Sequence, residues 1–153
     1  AVGIGLLFAA RGLGTGIGPI AARNLVPDER RWPLVIGLGI LASGFAYLST
    51  SVVPWGWGLS LLVLVAHLPS GANWVLSTVL LQQRTEDRFR GRVFSTEWLL
   101  LTLVNAAAIL AASLLLEAGW VELRSAIGLF AGLQLVSGAV WLATVVPRER
   151  IRR

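Results

Sequence analysis

Five long apolar stretches fill this chain, and arginine clusters stand at alternate gaps between them. Of its 13 basic residues, all arginines, eleven fall in three groups: Arg23, Arg30 and Arg31; Arg84, Arg88, Arg90 and Arg92; and Arg148, Arg150, Arg152 and Arg153. The other two gaps are nearly free of positive charge. Val53 to Gly58 has no charged residue, and Glu117 to Arg124 has two acids and one arginine. Short arginine-rich loops stay on the cytoplasmic side of a membrane, so the pattern predicts one topology with all three clusters inside.

Composition supports a lipid solvent. With 56% hydrophobic residues, 14% charged and a mean hydropathy of +0.75, the chain is more apolar than one soluble core could hide. A net charge of +5 in a soluble protein points to nucleic acid. Here the arginines border apolar spans, as membrane orientation requires, so no nucleic-acid partner is expected. With no cysteine and a single histidine, His67, thiolate and histidine-cluster metal sites are excluded and no cofactor is implied.

The spans run from about 1 to 23, 33 to 53, 55 to 81, 93 to 116 and 125 to 146, giving an all-α polytopic membrane helix bundle of five transmembrane helices in a single domain, 1–153. The second has 21 residues and at about 1.5 Å per residue matches a hydrocarbon core of roughly 30 Å. Trp32, Trp55, Trp57 and Trp120 lie at span ends, where an amphipathic ring suits the headgroup layer. No period-two alternation suggests a barrel. Beginning at Ala1 inside an apolar run, with no basic leader, the chain reads as a piece of something longer.

Polar residues inside the spans are the candidate functional groups. In the third span His67, Ser70, Trp74 and Ser77 are spaced 3, 4 and 3, with Asn73 at the edge. One helical face therefore carries them, and it looks at protein or water. Pro69 frees a backbone carbonyl near His67 and predicts a tilt or kink. The stripe reads either as a substrate or proton pathway or as a set of interhelical hydrogen bonds. In the first span Ala10, Gly14, Gly18 and Ala22 lie four apart on one face, a pattern for close helix packing or for a moving interface.

Arg11, in the same span, costs roughly 2.5 to 3.5 kcal/mol on insertion scales if central, so it needs a partner on another segment or a water-filled cavity. Glu97, about a turn into the fourth span, is expected to meet the neighbouring arginines or the helix end. Asn105 and Gln134 are single polar residues expected to make packing hydrogen bonds. Gly37, Gly39 and Ala42 fit a dinucleotide-binding fingerprint, but no strand and turn precede them, so the match has no meaning. No catalytic constellation is present, neither H-E-x-x-H nor G-x-S-x-G nor paired carboxylates in one span, and the chain does not read as an enzyme.

Two segments carry a family resemblance. Gln82 to Ser95, QQRTEDRFRGRVFS, is similar to the cytoplasmic loop between the fourth and fifth helices of each half of major facilitator superfamily transporters, especially the drug and siderophore exporter branch. Leu6 to Arg23, LLFAARGLGTGIGPIAAR, resembles the second helix of such a half, with a G-x-x-A-D-R type end. Gly18, Ala21 and Arg23 fit that signature, while Ala22 stands where its acid usually is. The resemblance implies helices eight to twelve of a twelve-helix transporter of the bacterial inner membrane, with the N-terminal half as missing partner and loops 24–32 and 82–92 and the C-terminus cytoplasmic. It also implies alternating-access efflux of amphipathic small molecules, coupled to protons. His67, Ser70, Asn73, Trp74 and Ser77 would line the pathway. Arg11, Gly14, Gly18, Arg23, Arg90, Arg92, Glu97 and Asn105 would serve the interface between halves or its gating, and spans two and five would face lipid. A non-transporting membrane scaffold or truncated paralogue is the alternative.

Overall fold

Among the described residues the chain forms five α-helices: α1 Val2–Leu25, α2 Trp32–Val52, α3 Trp57–Arg84, α4 Asp87–Glu117 and α5 Leu123–Ile151, with a 3-10 turn at Glu29–Arg31. The computed structural model describes residues 2–54 and 56–151, the last two by backbone alone. Expectations attached to Trp55 and to the side chains of Arg150, Arg152 and Arg153 lie outside what is described. All five helices are long and apolar enough to cross a bilayer, α4 being the most apolar with a mean hydropathy of 2.4 over its best stretch. The chain is thus an all-α, five-helix polytopic membrane bundle.

The helices run past the apolar stretches that announce them. α4 begins at Asp87, not near 93, so the segment 82–92 is not a loop. Only Thr85 and Glu86 break the helical course between α3 and α4. Hydropathy marks the part of a helix that lipid surrounds, whereas Arg88, Arg90 and Arg92 favour helix intrinsically and continue it into the headgroup layer. α3 also runs unbroken through Pro69. Just past the end of α4 stands Gly119, whose φ of +67° suits a residue without a Cβ. There the Gly119 and Trp120 amides bond back to the Leu116 and Leu115 carbonyls, satisfying the last helical acceptors.

Packing order differs from chain order. α3 sits between α1 and α2, and α2 packs in turn on α5, so neighbours in space run α1, α3, α2, α5. α2 is the most enclosed of the five, burying Ile36, Gly37, Ser43, Gly44, Ala46 and Thr50. On its remaining face Leu38, Phe45 and Val52 stay exposed. Its glycines let α5 in close: Gly37 meets Trp141 and Leu142, and Gly44 meets Leu135. Trp141 donates to the Pro33 carbonyl at 2.7 Å, and Gln134 reaches the Ile40 carbonyl at 3.4 Å, across the same seam. α4 stands apart. None of its residues is buried, and its row of Trp98, Leu99, Leu100, Leu103, Val104 and Leu110 is exposed.

The two ends of the bundle are tied differently. Where the arginines gather, Trp32 donates to the Val26 carbonyl at 3.1 Å and Gln83 to the Glu29 carboxylate at 3.1 Å. At the other end Arg124 reaches back to α2. Its Nη1 donates to the Ser51 and Val53 carbonyls at 3.0 and 2.9 Å. Those are orphan acceptors at the negative end of a helix dipole, which explains an arginine at an end otherwise free of them.

Candidate functional site

The site is built on α3, and its framework is the α1–α3 seam. Ala10, Gly14, Gly18 and Ala22 are all buried there. A methyl group at Gly14 would lie 2.5 Å from the Leu64 carbonyl oxygen, and one at Gly18 would overlap the Leu68 carbonyl. In return, a methyl group at Gly71 of α3 would overlap the Thr15 carbonyl. Pro19 has no N–H to offer that carbonyl, so the helix leaves it free to lie against Gly71. Gly14 and Gly18 therefore belong to a seam within this chain. Their assignment to an interface with a missing half is corrected, because α3 already occupies the stripe.

The five candidate residues of α3 fan out around the helix. Asn73 turns to α2, where its Nδ2 donates to the Ile36 carbonyl at 3.3 Å and its amide lies against Gly39. It is a seam residue and not a pathway one; its buried Oδ1 has no hydrogen-bond partner among the described residues. Ser70 is exposed, and Trp74 is 50% exposed, with one edge against Trp98 of α4 at 5.6 Å between ring centres. Ser77 donates to the Trp74 carbonyl of its own helix and lines a recess near the arginine end. Val63, His67, Ser70 and Trp74, spaced 4, 3 and 4, share one face of α3, where Ser70 and Trp74 are exposed while Val63 and His67 are half-buried beside Tyr47 of α2.

At the end of that face opposite the arginine clusters lies a recess of about 330 Å³ lined by Leu7, Phe8, Arg11, Tyr47, Val63 and His67. His67 is held on two sides. Its Nδ1 lies 2.9 Å from the Val63 carbonyl, which can only accept, so Nδ1 carries the hydrogen in the neutral ring. Nε2 is then the acceptor for the Tyr47 hydroxyl, 3.2 Å away. The two rings meet edge to face at 74° and 5.7 Å. Tyr47 is the site residue that the pattern of the sequence does not reveal. As the only tyrosine, set within an apolar run, it offers one signal: a hydroxyl inside a span.

The remaining candidates sit at the arginine end or in the open. Arg23 borders a groove of about 600 Å³ between α1 and α3, with Ile20, Trp32, Val75 and Val79. Arg90 pairs with Asp87 at 2.9 Å, and Arg92 is exposed. Glu97 lines a recess of about 250 Å³ with Ser77, Arg84 and Trp141. Among the described residues it forms no ion pair, since Arg84 is held by Glu149. Asn105 is exposed on α4 and makes no packing hydrogen bond among the described residues, which corrects that expectation: no helix lies close enough to it. Among the described residues no group of three His, Cys, Asp or Glu could hold a metal ion.

No protein-family model, curated protein or solved structure matches this chain.

Proposed function

We propose that the chain is the C-terminal part of a secondary active transporter of the major facilitator type, exporting amphipathic small molecules by alternating access in exchange for protons. The observation that carries this reading is the uncovered face of α3. Ser70 and the broad ring of Trp74 lie exposed there, with half-buried His67 at its edge against Tyr47, next to a helix, α4, with no buried residue. In lipid such a face is costly unless water, substrate or more protein covers it. A second half closing over α3 and α4 would convert it into the wall of a central cavity.

Within that cavity each group has a distinct task. Trp74 supplies an apolar surface for stacking, Ser70 a hydroxyl for orientation, and His67 an imidazole able to exchange a proton. The arginine clusters put both the α1–α2 and α3–α4 connections on the cytoplasmic side in this reading.

Efflux from everted membrane vesicles bearing the complete protein tests the proposal. An imposed pH gradient is expected to drive accumulation of an amphipathic dye, and Trp74→Ala to reduce it. Vesicles that accumulate no more dye than those lacking the protein count against transport. His67→Gln with an unchanged pH profile removes His67 as the coupling group.

A further inference from the structure

We propose that the recess joining Arg11, Tyr47 and His67 binds the anionic head of an amphipathic ligand, a carboxylate or phosphate ester carried on an apolar tail. Three helices build it: α1 gives Leu7, Phe8 and Arg11, α2 gives Tyr47, and α3 gives Val63 and His67. Arg11 is the cation of the group. It makes no hydrogen bond or ion pair among the described residues, and the one acid inside a span, Glu97, lines a different recess beside Arg84. A guanidinium offers five N–H donors in a planar fork suited to a carboxylate or phosphate, and inside a membrane an uncompensated charge is costly. An anion on Arg11 meets both conditions.

Its neighbours shape what that anion is attached to. The Val63 carbonyl and the Tyr47 hydroxyl both engage the imidazole of His67, so the ring forms a wall and leaves Arg11 as the principal donor. Leu7, Phe8 and Val63 make the remaining surface apolar. At about 330 Å³ the recess holds a headgroup and the first carbons of a chain. The rest of the tail continues along the open face of α3 toward Ser70 and Trp74. A cationic amphiphile is repelled from the same place.

This deepens the transport reading by naming the charge of its substrate, and it rests on that reading only for the substrate role; binding is measured without transport, so either can fail alone. The intact protein in phosphatidylcholine nanodiscs is titrated with dodecanoate, dodecanol and dodecyltrimethylammonium at about pH 8, where a free carboxylate is ionised. Dodecanoate is expected to saturate at least about tenfold more tightly than the other two, as a charge-assisted pair allows. Arg11→Gln is expected to remove that preference and Arg11→Lys to keep part of it. Weaker dodecanoate binding in nanodiscs containing phosphatidylglycerol assigns the recess to a lipid head of the same chemistry; unchanged binding there assigns it to the free amphiphile. Equal affinity for dodecanoate and dodecanol overturns the proposal, as does a preference that survives Arg11→Gln. If Arg11→Gln does not fold, the wild-type comparison and Arg11→Lys decide.

Discussion

Arg84 at the end of α3 and Glu149 near the end of α5 face each other fork to fork, Nη1 to Oε1 at 2.8 Å and Nη2 to Oε2 at 2.6 Å. The pair clasps the arginine-cluster ends of two helices that lie on either side of α2. With the arginine 43% and the carboxylate 13% exposed, screening removes much of its strength. Glu149→Gln is expected to cost about 0.5 to 1 kcal/mol, and Arg84→Lys nearly as much, because an ammonium cannot make the two-pronged contact. Thermal unfolding in detergent at low and high salt checks this, with a smaller difference expected at high salt.

Two glycines two residues apart on α1 should behave oppositely. A methyl group at Gly18 runs into the Leu68 carbonyl, whereas one at Gly16 meets nothing within 4 Å. Gly18→Ala must push α1 from α3 and is expected to destabilise by about 1 to 3 kcal/mol. Gly16→Ala is expected to be neutral or to stabilise by a few tenths up to about 1 kcal/mol through helix propensity. Equal melting shifts for the two variants would show that α1 does not pack on α3 through this stripe.

Arg124→Gln removes the donors that hold the Ser51 and Val53 carbonyls. The last turn of α2 is then expected to fray, with faster amide exchange at residues 50–53 and an overall loss of about 1 to 2 kcal/mol. Exchange confined to its wild-type rate would show that the cap is dispensable.

Because the sequence has no cysteine, single cysteines report topology cleanly. Asp28→Cys and Glu86→Cys are expected to react with an impermeant thiol reagent only from the cytoplasmic side, and Gly56→Cys and Trp120→Cys only from the other. Labelling of positions 28 and 56 from the same side contradicts the five-span order.

How much of this was legible beforehand follows from the range of each interaction. The five spans could be read because the demand for an apolar run is local. The small-residue stripe of α1 was legible as a packing face, but its partner was not, since α3 lies beside α1 in space and α2 follows it in sequence. Asn73 shares the α3 stripe by spacing, yet Gly39 opens a gap on α2 that draws it into a seam. Tyr47, Arg124 and Glu149 act on groups 20 to 73 positions away, beyond any periodicity. Hydropathy places the start of α4 too late because arginines end the apolar run without ending the helix.

The central claim is that the open face of α3 looks into an aqueous cavity, and Ser70→Cys tests it with the smallest change of shape. Its reactivity toward a charged, water-soluble maleimide in membranes containing the complete protein is compared with that of Leu129→Cys, at an exposed position on α5. The account predicts rapid labelling at position 70, slowed by an amphipathic substrate, and negligible labelling at 129. Labelling at 70 as slow as at 129 would mean that lipid covers this face, and the transport reading would lose its support.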